Sequence, residues 1–209
     1  REFVADAWPL LTQDERSEWG VIFSMQHHGF PTRLLDWTES FACSVYFAQW
    51  QRNASEDAAI YILIPEMLNS MSIGRESLVA LHEDFLDAHD ISHDYHPKYA
   101  ASGKDLQSIA VVPYFTNRRM VSQRSAFTLS GDTFEPLEQT FNGDLLNRGY
   151  LKKITLPAEI YDETNSFLEI AGTSHYGYFP DFEGLSREFK EKRKRNIGYA
   201  KRWKQLAHQ

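Results

Sequence analysis

The stretch SMQHHGFPTRLLDWTESFACSVYFA, residues 24–48, compresses a helix end, a turn, a strand and a second helix into one run of chain. Just before and into it, Glu18 to His28 sets Trp19, Ile22, Phe23 and Gln26 at helical spacing, and Gly29 follows as a terminator free to adopt left-handed backbone angles. Pro31 forbids continuation, so Thr32 to Trp37 reads as a short strand and Thr38 as the cap of a helix from Glu39 to about Gln51.

The polar residues of this stretch are expected either to hold the fold or to bind something. Arg33 and Asp36 stand three apart on a strand, hence on opposite faces, which turns one of them inward, where its charge has to be paired. For Asp36 the structural reading is an ion pair or backbone N–H groups beside Trp37. For Arg33 structural pairing stands beside capture of a phosphate or carboxylate by the planar guanidinium fork. Thr32 and Thr38 suit turn and cap duty, and Gln26 suits backbone groups at a helix end. His27 and His28 lie where the negative end of the helix dipole favours a proton, yet neighbouring helical side chains diverge by about 100°, so the two do not grip one metal. One of them facing a pocket as an acid or base is the functional reading, and hydrogen bonding within the fold is the structural one.

Beyond the stretch, Ala58 to Ile64 is a continuous apolar run expected as a strand covered on both faces, and Pro65 starts a short helix. Ser77 to about Asp90 has helical period, Asp90 to Lys104 reads as a polar surface loop, and Leu106 to Val112 reads as a strand. A short helix over Asn117 to Gln123 precedes strands over Ser125 to Ser130 and Tyr150 to Leu156, with helices over Ala158 to Ala171 and Leu185 to Gln205. Strands and helices without a regular βαβ rhythm indicate an α+β fold. His89 and His93 are four apart among acids, but no cysteine or H-E-x-x-H pattern fixes a geometry, so a solvated segment is expected and no metal site is assigned.

The chain has 209 residues, 42% of them hydrophobic and 14% aromatic, enough for one generous core. A net charge of −7 argues against a general nucleic-acid coat and leaves any polyanion site local. The one local concentration is SREFKEKRKRNIGYAKRWK. It reads as a solvated helical face with Phe189, Ile197 and Trp203 partly buried, or as a contact for RNA, DNA or an acidic partner. A single cysteine, no apolar run near the ~20 residues of a membrane span and no signal peptide indicate a cytoplasmic protein without membrane contact. Arg1 is not an initiator methionine, so the chain reads as a piece of a longer one.

QHHGFPTRLLDWTESFACSVYFA closely resembles the signature of the bacterial FRG-domain family, and RRMVSQRSAFTLSG and AGTSHYGYFPDFEGLS resemble two of its later segments. The resemblance covers residues 24 to about 186. It implies an FRG-like domain over 1–186, whose N-terminal aromatic-Arg-Gly part is missing here, and a basic helix over 187–209 packed on the same domain. The order of its parts is similar to that of ADP-ribosyltransferases, which implies a single domain with a split β-sheet flanked by helices, and NAD as a substrate. By that resemblance Thr38, Gln123 and His28 are the catalytic candidates. Gln26, His27, Thr32, Arg33, Asp36, Arg119 and Phe127 are the residues expected to hold NAD. Gln123 stands nearest the late catalytic position, and Glu135 and Glu138 supply a carboxylate only if the loop after that strand folds back. The function implied is transfer of ADP-ribose to a protein or nucleic acid by a toxin or anti-phage effector, with an antitoxin or regulatory partner. The alternative is a non-catalytic module that senses a nucleotide or a partner in a defence system.

Overall fold

The computed structural model describes residues 2–81, 89–98, 105–112, 117–133 and 135–206, with the side chains of residues 2, 89, 90 and 195–206 left out. In chain order the elements are α1 (Glu2–Ala7), α2 (Glu18–His27), β1 (Leu34–Thr38), α3 (Phe41–Gln49), β2 (Ala58–Leu63), α4 (Pro65–Ile73) and β3 (Val79–Ala80). They continue with α5 (His89–Tyr95), β4 (Ile109–Val112), α6 (Arg118–Ser122), β5 (Ser125–Leu129), α7 (Asp144–Asn147), β6 (Leu151–Leu156), α8 (Tyr161–Ile170), α9 (His175–Tyr178) and α10 (Phe182–Leu206). The α+β class expected from the sequence is what the structure has.

Two sheets organise the molecule. One runs β1-β5-β4-β3 and the other pairs β2 with β6. In the first, β1, β5 and β4 are antiparallel and β3 joins β4 in parallel. Residues directly opposite share a face, so Leu34 opposite Leu129, with Ile109 beyond, and Phe127 opposite Val111 form one apolar surface. Trp19 and Phe23 of α2 cover that surface, each almost fully buried. Burying side chains of this size contributes roughly 1.5–3 kcal/mol apiece. On the opposite face Trp37 and Ala110 meet Leu68 of α4, Leu145 of α7 and Leu151 of β6, which joins the two sheets through a shared core. The Trp37 indole N–H donates to the Thr128 hydroxyl at 3.1 Å, satisfying its one polar atom.

Helix α2 is capped by the Ser17 hydroxyl, which accepts from the Gly20 N–H at 3.1 Å. It ends as expected, with Gly29 at φ +75° turning the chain out of the helix and towards Pro31. Residues Thr32 and Arg33 stay outside the strand, which begins at Leu34 and includes Thr38. The helix after it is capped by Ser40 rather than Thr38: the Ser40 hydroxyl accepts from the Cys43 N–H at 3.3 Å. Thr38 is already engaged, because its own hydroxyl donates to the Gln123 carbonyl at 2.6 Å and accepts from the Ser40 N–H at 3.0 Å.

Three other expectations are corrected. The helix expected over Ser77 to Asp90 does not form at its start, where Val79 pairs with Val111 and Ala80 with Val112 as a parallel strand; Val79 is β-branched and buried in the core, and this outweighs the local period. Residues 82–88 of that stretch lie outside the described residues. The loop expected over Asp90 to Lys104 begins instead as α5, because Tyr95 is 2% exposed in the core and its hydroxyl donates to the Gln107 carbonyl at 2.5 Å. Strand β2 is packed on both faces by Ile60 and Tyr61, but Ile62 is exposed, since its sheet has only two strands.

Helix α10 starts at Phe182, three residues ahead of the expected Leu185, because Pro180 and Asp181 are good helix-entry residues. The Asp181 carboxylate accepts from the Gly184 N–H at 2.7 Å, and a Cβ on Gly184 would fall 1.9 Å from the Phe179 carbonyl. Its first turns pack on α9 and α3. The Glu188 carboxylate accepts from the Tyr176 N–H at 2.8 Å, and the Arg187 guanidinium lies 5.4 Å from the centre of the Trp50 ring.

Candidate functional site

Two cavities flank the end of β1. The larger, about 840 Å³, opens between the sheets beneath α3 and is lined by Trp37, Phe47, Trp50 and Tyr61 together with Asp36, Thr38, Arg119, Gln123 and Glu138. The smaller, about 760 Å³, is polar and lies at the end of α2. Gln26, His27, His28 and Thr32 form one side of it, and Asp181 and Glu183 at the start of α10 form the other. Asp36 and Arg119 line both, so the two spaces meet at these side chains. Segments more than 80 residues apart are brought together here by the β1–β5 register, which sets Thr38 opposite Ser125 and leaves α6 at the rim.

Each polar residue of the opening stretch has a definite place. Thr32 accepts from the Leu34 N–H at 3.0 Å and donates its hydroxyl proton to the Gln26 side-chain carbonyl. The Gln26 amide then donates to the Asp36 carboxylate at 2.5 Å. Gln26 therefore serves a side chain, not the backbone groups at the helix end. Asp36 is open to the polar cavity and forms no buried ion pair, so a large folding cost for its neutralisation does not follow. Its surroundings nonetheless raise its carboxyl pKa by burial, against the lowering pull of Gln26 and then Arg119.

Arg33 does not reach either cavity. Its guanidinium donates to the carbonyls of Tyr95 and, at 3.4 Å, Gly131, which pins α5 and the end of β5 to the start of β1. The structural alternative holds for it. Phe127 likewise leaves the site, because its parity on β5 points it into the core, 5 % exposed and 5.1 Å from the Phe23 ring centre. Thr38 and Gln123 line the larger cavity but are occupied. The Gln123 amide donates to the Tyr178 carbonyl at 3.0 Å, and the Thr38 hydroxyl holds the Gln123 carbonyl. His28 and His27 line the polar cavity with their rings 4.8 Å apart, edge to face.

The Arg119 guanidinium lies over Phe179, 4.5 Å from the ring centre, and donates to the His27 carbonyl at 3.3 Å. No carboxylate lies within 4.0 Å of it among the described residues. Glu138 is the residue that the sequence placed conditionally. The loop after β5 does fold back, and the Glu138 carboxylate lines the larger cavity, where it accepts from the Tyr61 hydroxyl at 2.6 Å. That hydrogen bond holds its carboxyl below the ordinary value, so it is ionised at neutral pH. Tyr61, Trp50, Asp181 and Glu183 went unassigned in sequence. For Tyr61 the alternation of β2 was the available signal, since it lies on the face opposite Ile60. Cys43 also lines the cavity but is fully buried, and burial raises its thiol pKa, which makes it a poor nucleophile.

Burial, then the charges of Arg119 and His28, push the His27 imidazole down to about 4. An unfolded histidine titrates near 6.5, so between those values the unfolded chain binds more protons and stability falls as the pH drops. Asp36 works in the opposite direction, because its raised folded pKa lets the native state hold a proton that the unfolded chain has released. His27→Gln removes the first contribution. Its melting temperature is expected to fall less than the parent's between pH 6.5 and 4. Parallel curves for the two proteins would place the acid sensitivity elsewhere.

A family model described as FRG domain matches residues 1–57, a span that includes α2, β1 and α3. The resemblance read from the residues is thus supported over that span. No curated protein and no solved structure matches the chain. Among the described residues no helix is long and apolar enough to cross a membrane.

Proposed function

We propose that the larger cavity binds NAD and that the chain transfers its ADP-ribose to a macromolecule. The observation that carries this reading is Glu138, an ionised carboxylate fixed by Tyr61 on the wall of an aromatic-lined cleft. Breaking the bond between ribose and nicotinamide builds positive charge on the ribose, and a negative group already fixed in place by a hydrogen bond is what lowers such a barrier. Trp37, Phe47, Trp50 and Tyr61 offer flat surfaces to the two rings of the dinucleotide. The volume of about 840 Å³ lies within the range of ligand clefts, about 300–1,000 Å³. Arg119, stacked and free of carboxylates within 4.0 Å, presents its fork at the rim to the diphosphate. Thr38 and Gln123 shape the wall and do not act on the substrate. The role as a toxin or anti-phage effector belongs to the same proposal and rests on the resemblance alone.

One observation favours the second reading, a nucleotide-sensing module without turnover: at two of the three inferred catalytic positions, Thr38 and Gln123, the side chains are committed to backbone carbonyls. Incubation of the protein with NAD labelled in its adenylate half and with whole-cell extract separates the readings. Release of nicotinamide with label fixed in protein or nucleic acid supports transfer. Saturable NAD binding without release supports sensing, and neither binding nor release sinks both.

A further inference from the structure

Asp36 is the meeting point of the two cavities, and nothing in the transfer reaction as described above uses it. Among the described residues, only Asp36 and Arg119 line both spaces. Arg119 is a permanent cation and takes no proton at any working pH. Asp36 is therefore the one group at the junction that can receive one. Its carboxylate is also held in a fixed direction. The Leu34 N–H occupies the Thr32 oxygen at 3.0 Å, so the Thr32 proton goes to the Gln26 carbonyl, which turns the Gln26 amide onto Asp36 at 2.5 Å. A carboxylate has about four lone-pair sites, so this relay orients Asp36 while leaving acceptor capacity towards the cavities.

The polar cavity also has a sign. Asp36, Asp181 and Glu183 face Arg119 across it, and burial keeps the His27 ring neutral at pH 7. A phosphate-bearing acceptor entering here meets three carboxylates, whereas a cationic group is drawn in. We propose, resting on the transfer reading, that the polar cavity is the acceptor port, that the acceptor is an amine or guanidinium group of a protein, and that Asp36 is the base that takes its proton. The acceptor nitrogen forms a bond to the ribose C1′ as the bond from C1′ to the nicotinamide nitrogen breaks. The electron pair of that bond leaves with neutral nicotinamide, and the N–H proton of the acceptor passes to Asp36 and then to water. Gln26 and Thr32 are positioning residues that act through Asp36. Desolvation by its surroundings raises the Asp36 pKa against the pull of Gln26 and Arg119, which strengthens it as a base although the side chain is open to the cavity.

The test uses the full chain, adenylate-labelled NAD, and polyarginine peptide or RNA as separate acceptors. Nicotinamide release, label transfer and NAD affinity are measured for the parent, Asp36→Asn and Thr32→Val. For Asp36→Asn, transfer to polyarginine is expected to fall by about 100-fold, the ordinary contribution of a positioned base. Because Asp36 also lines the larger cavity, nicotinamide release to water and NAD affinity are expected to fall by far less than transfer does. Thr32→Val is expected to lose less transfer and to shift the acid limb of the transfer–pH profile, a change that a merely structural role would not produce. That limb reports Asp36 in the field of the groups that face it, His27, His28, Arg119, Asp181 and Glu183. Unchanged transfer in Asp36→Asn overturns the base, as does a loss of NAD affinity that matches the loss of transfer. Label on RNA in preference to polyarginine overturns the acceptor class. A parent that releases no nicotinamide fails at the transfer reading itself, and the base falls with it. Should Asp36→Asn melt well below the parent, Asp36→Ser is read in its place.

Discussion

Glu138→Gln is expected to lower nicotinamide release from NAD by about 10²–10³-fold while leaving the melting temperature of the protein unchanged. The side chain lines the larger cavity and accepts from the Tyr61 hydroxyl at 2.6 Å. A glutamine keeps that acceptor oxygen and the shape of the wall, so the fold retains its contact. What it removes is the negative charge, and only the transition state, with cation developing on the ribose, depends on that charge. The loss should therefore fall on kcat, with KM for NAD nearly constant, because ground-state binding through the aromatic walls and Arg119 does not involve the carboxylate. Tyr61→Phe makes a graded comparison. It retains the charge but frees the carboxylate to move and to lose the hydrogen bond that keeps its pKa low, and it should cost less than the charge itself. Equal release rates for parent and Glu138→Gln would remove the group on which the transfer reading stands.

The position of Glu138 also shows where sequence reasoning stops. Period and punctuation were enough for α2 with its Gly29 terminator, for β5, for β6 and for the Asp181 entry to α10, because each of these is decided by residues within a few positions of one another. The cleft is not local. Whether Glu138 or Glu135 reaches it depends on the path of the loop after β5, and that path is set by the docking of Leu137 and Phe141 against the shared core. Parity misled at Arg33, which was placed inside the strand but lies just before it and spends its guanidinium on carbonyls that come from α5 and from the end of β5. At Phe127 the resemblance misled instead: a residue matching a family-like segment was given a ligand role, whereas its strand register hands it to the core beside Phe23. Thr38 as a helix cap was reasonable chemistry in the wrong place, since Ser40, two residues later, faces the free N–H of Cys43 and Thr38 was claimed by a partner 85 residues away. The run Val79–Ala80 was read as helix because its pairing partner, Val111–Val112, is remote in sequence. In each case the deciding contact is long-range, and single-sequence pattern carries no information about it.

Asn69 is the buried polar group whose removal should do most damage to the fold. It lies on α4, is 0% exposed, and spends its whole amide on the first sheet. Its side-chain nitrogen donates to the carbonyls of Ala110 at 2.9 Å and Ser77 at 2.8 Å, and its oxygen accepts from the Ala110 N–H at 2.7 Å. With β3 only two residues long, this side chain stands in for the missing strand beside Ala110 and ties α4 to the sheet edge. Asn69→Leu matches the apolar surroundings of Leu68, Leu145 and Leu151, yet it leaves the N–H and carbonyl of Ala110 without partners where water does not reach, while the carbonyl of the exposed Ser77 can turn to solvent. Each orphaned group costs about 1–3 kcal/mol, for a sum on the order of 5 kcal/mol after some relaxation. Against a total stability of about 5–15 kcal/mol that is enough to bring the chain close to unfolding. The expected fall in melting temperature is about 10–20 °C, or failure to accumulate folded protein. Ser72→Ala, one turn further along α4, supplies the contrast. Its hydroxyl donates to the carbonyls of Ser108 at 2.5 Å and Leu68 at 2.8 Å, but it is only half-buried, so solvent can replace it at a cost of about 1 kcal/mol. Thermal melts of the two variants beside the parent decide the matter, and a drop for Asn69→Leu no larger than that for Ser72→Ala would mean that Ala110 finds other partners and that α4 is not what holds this edge of the sheet.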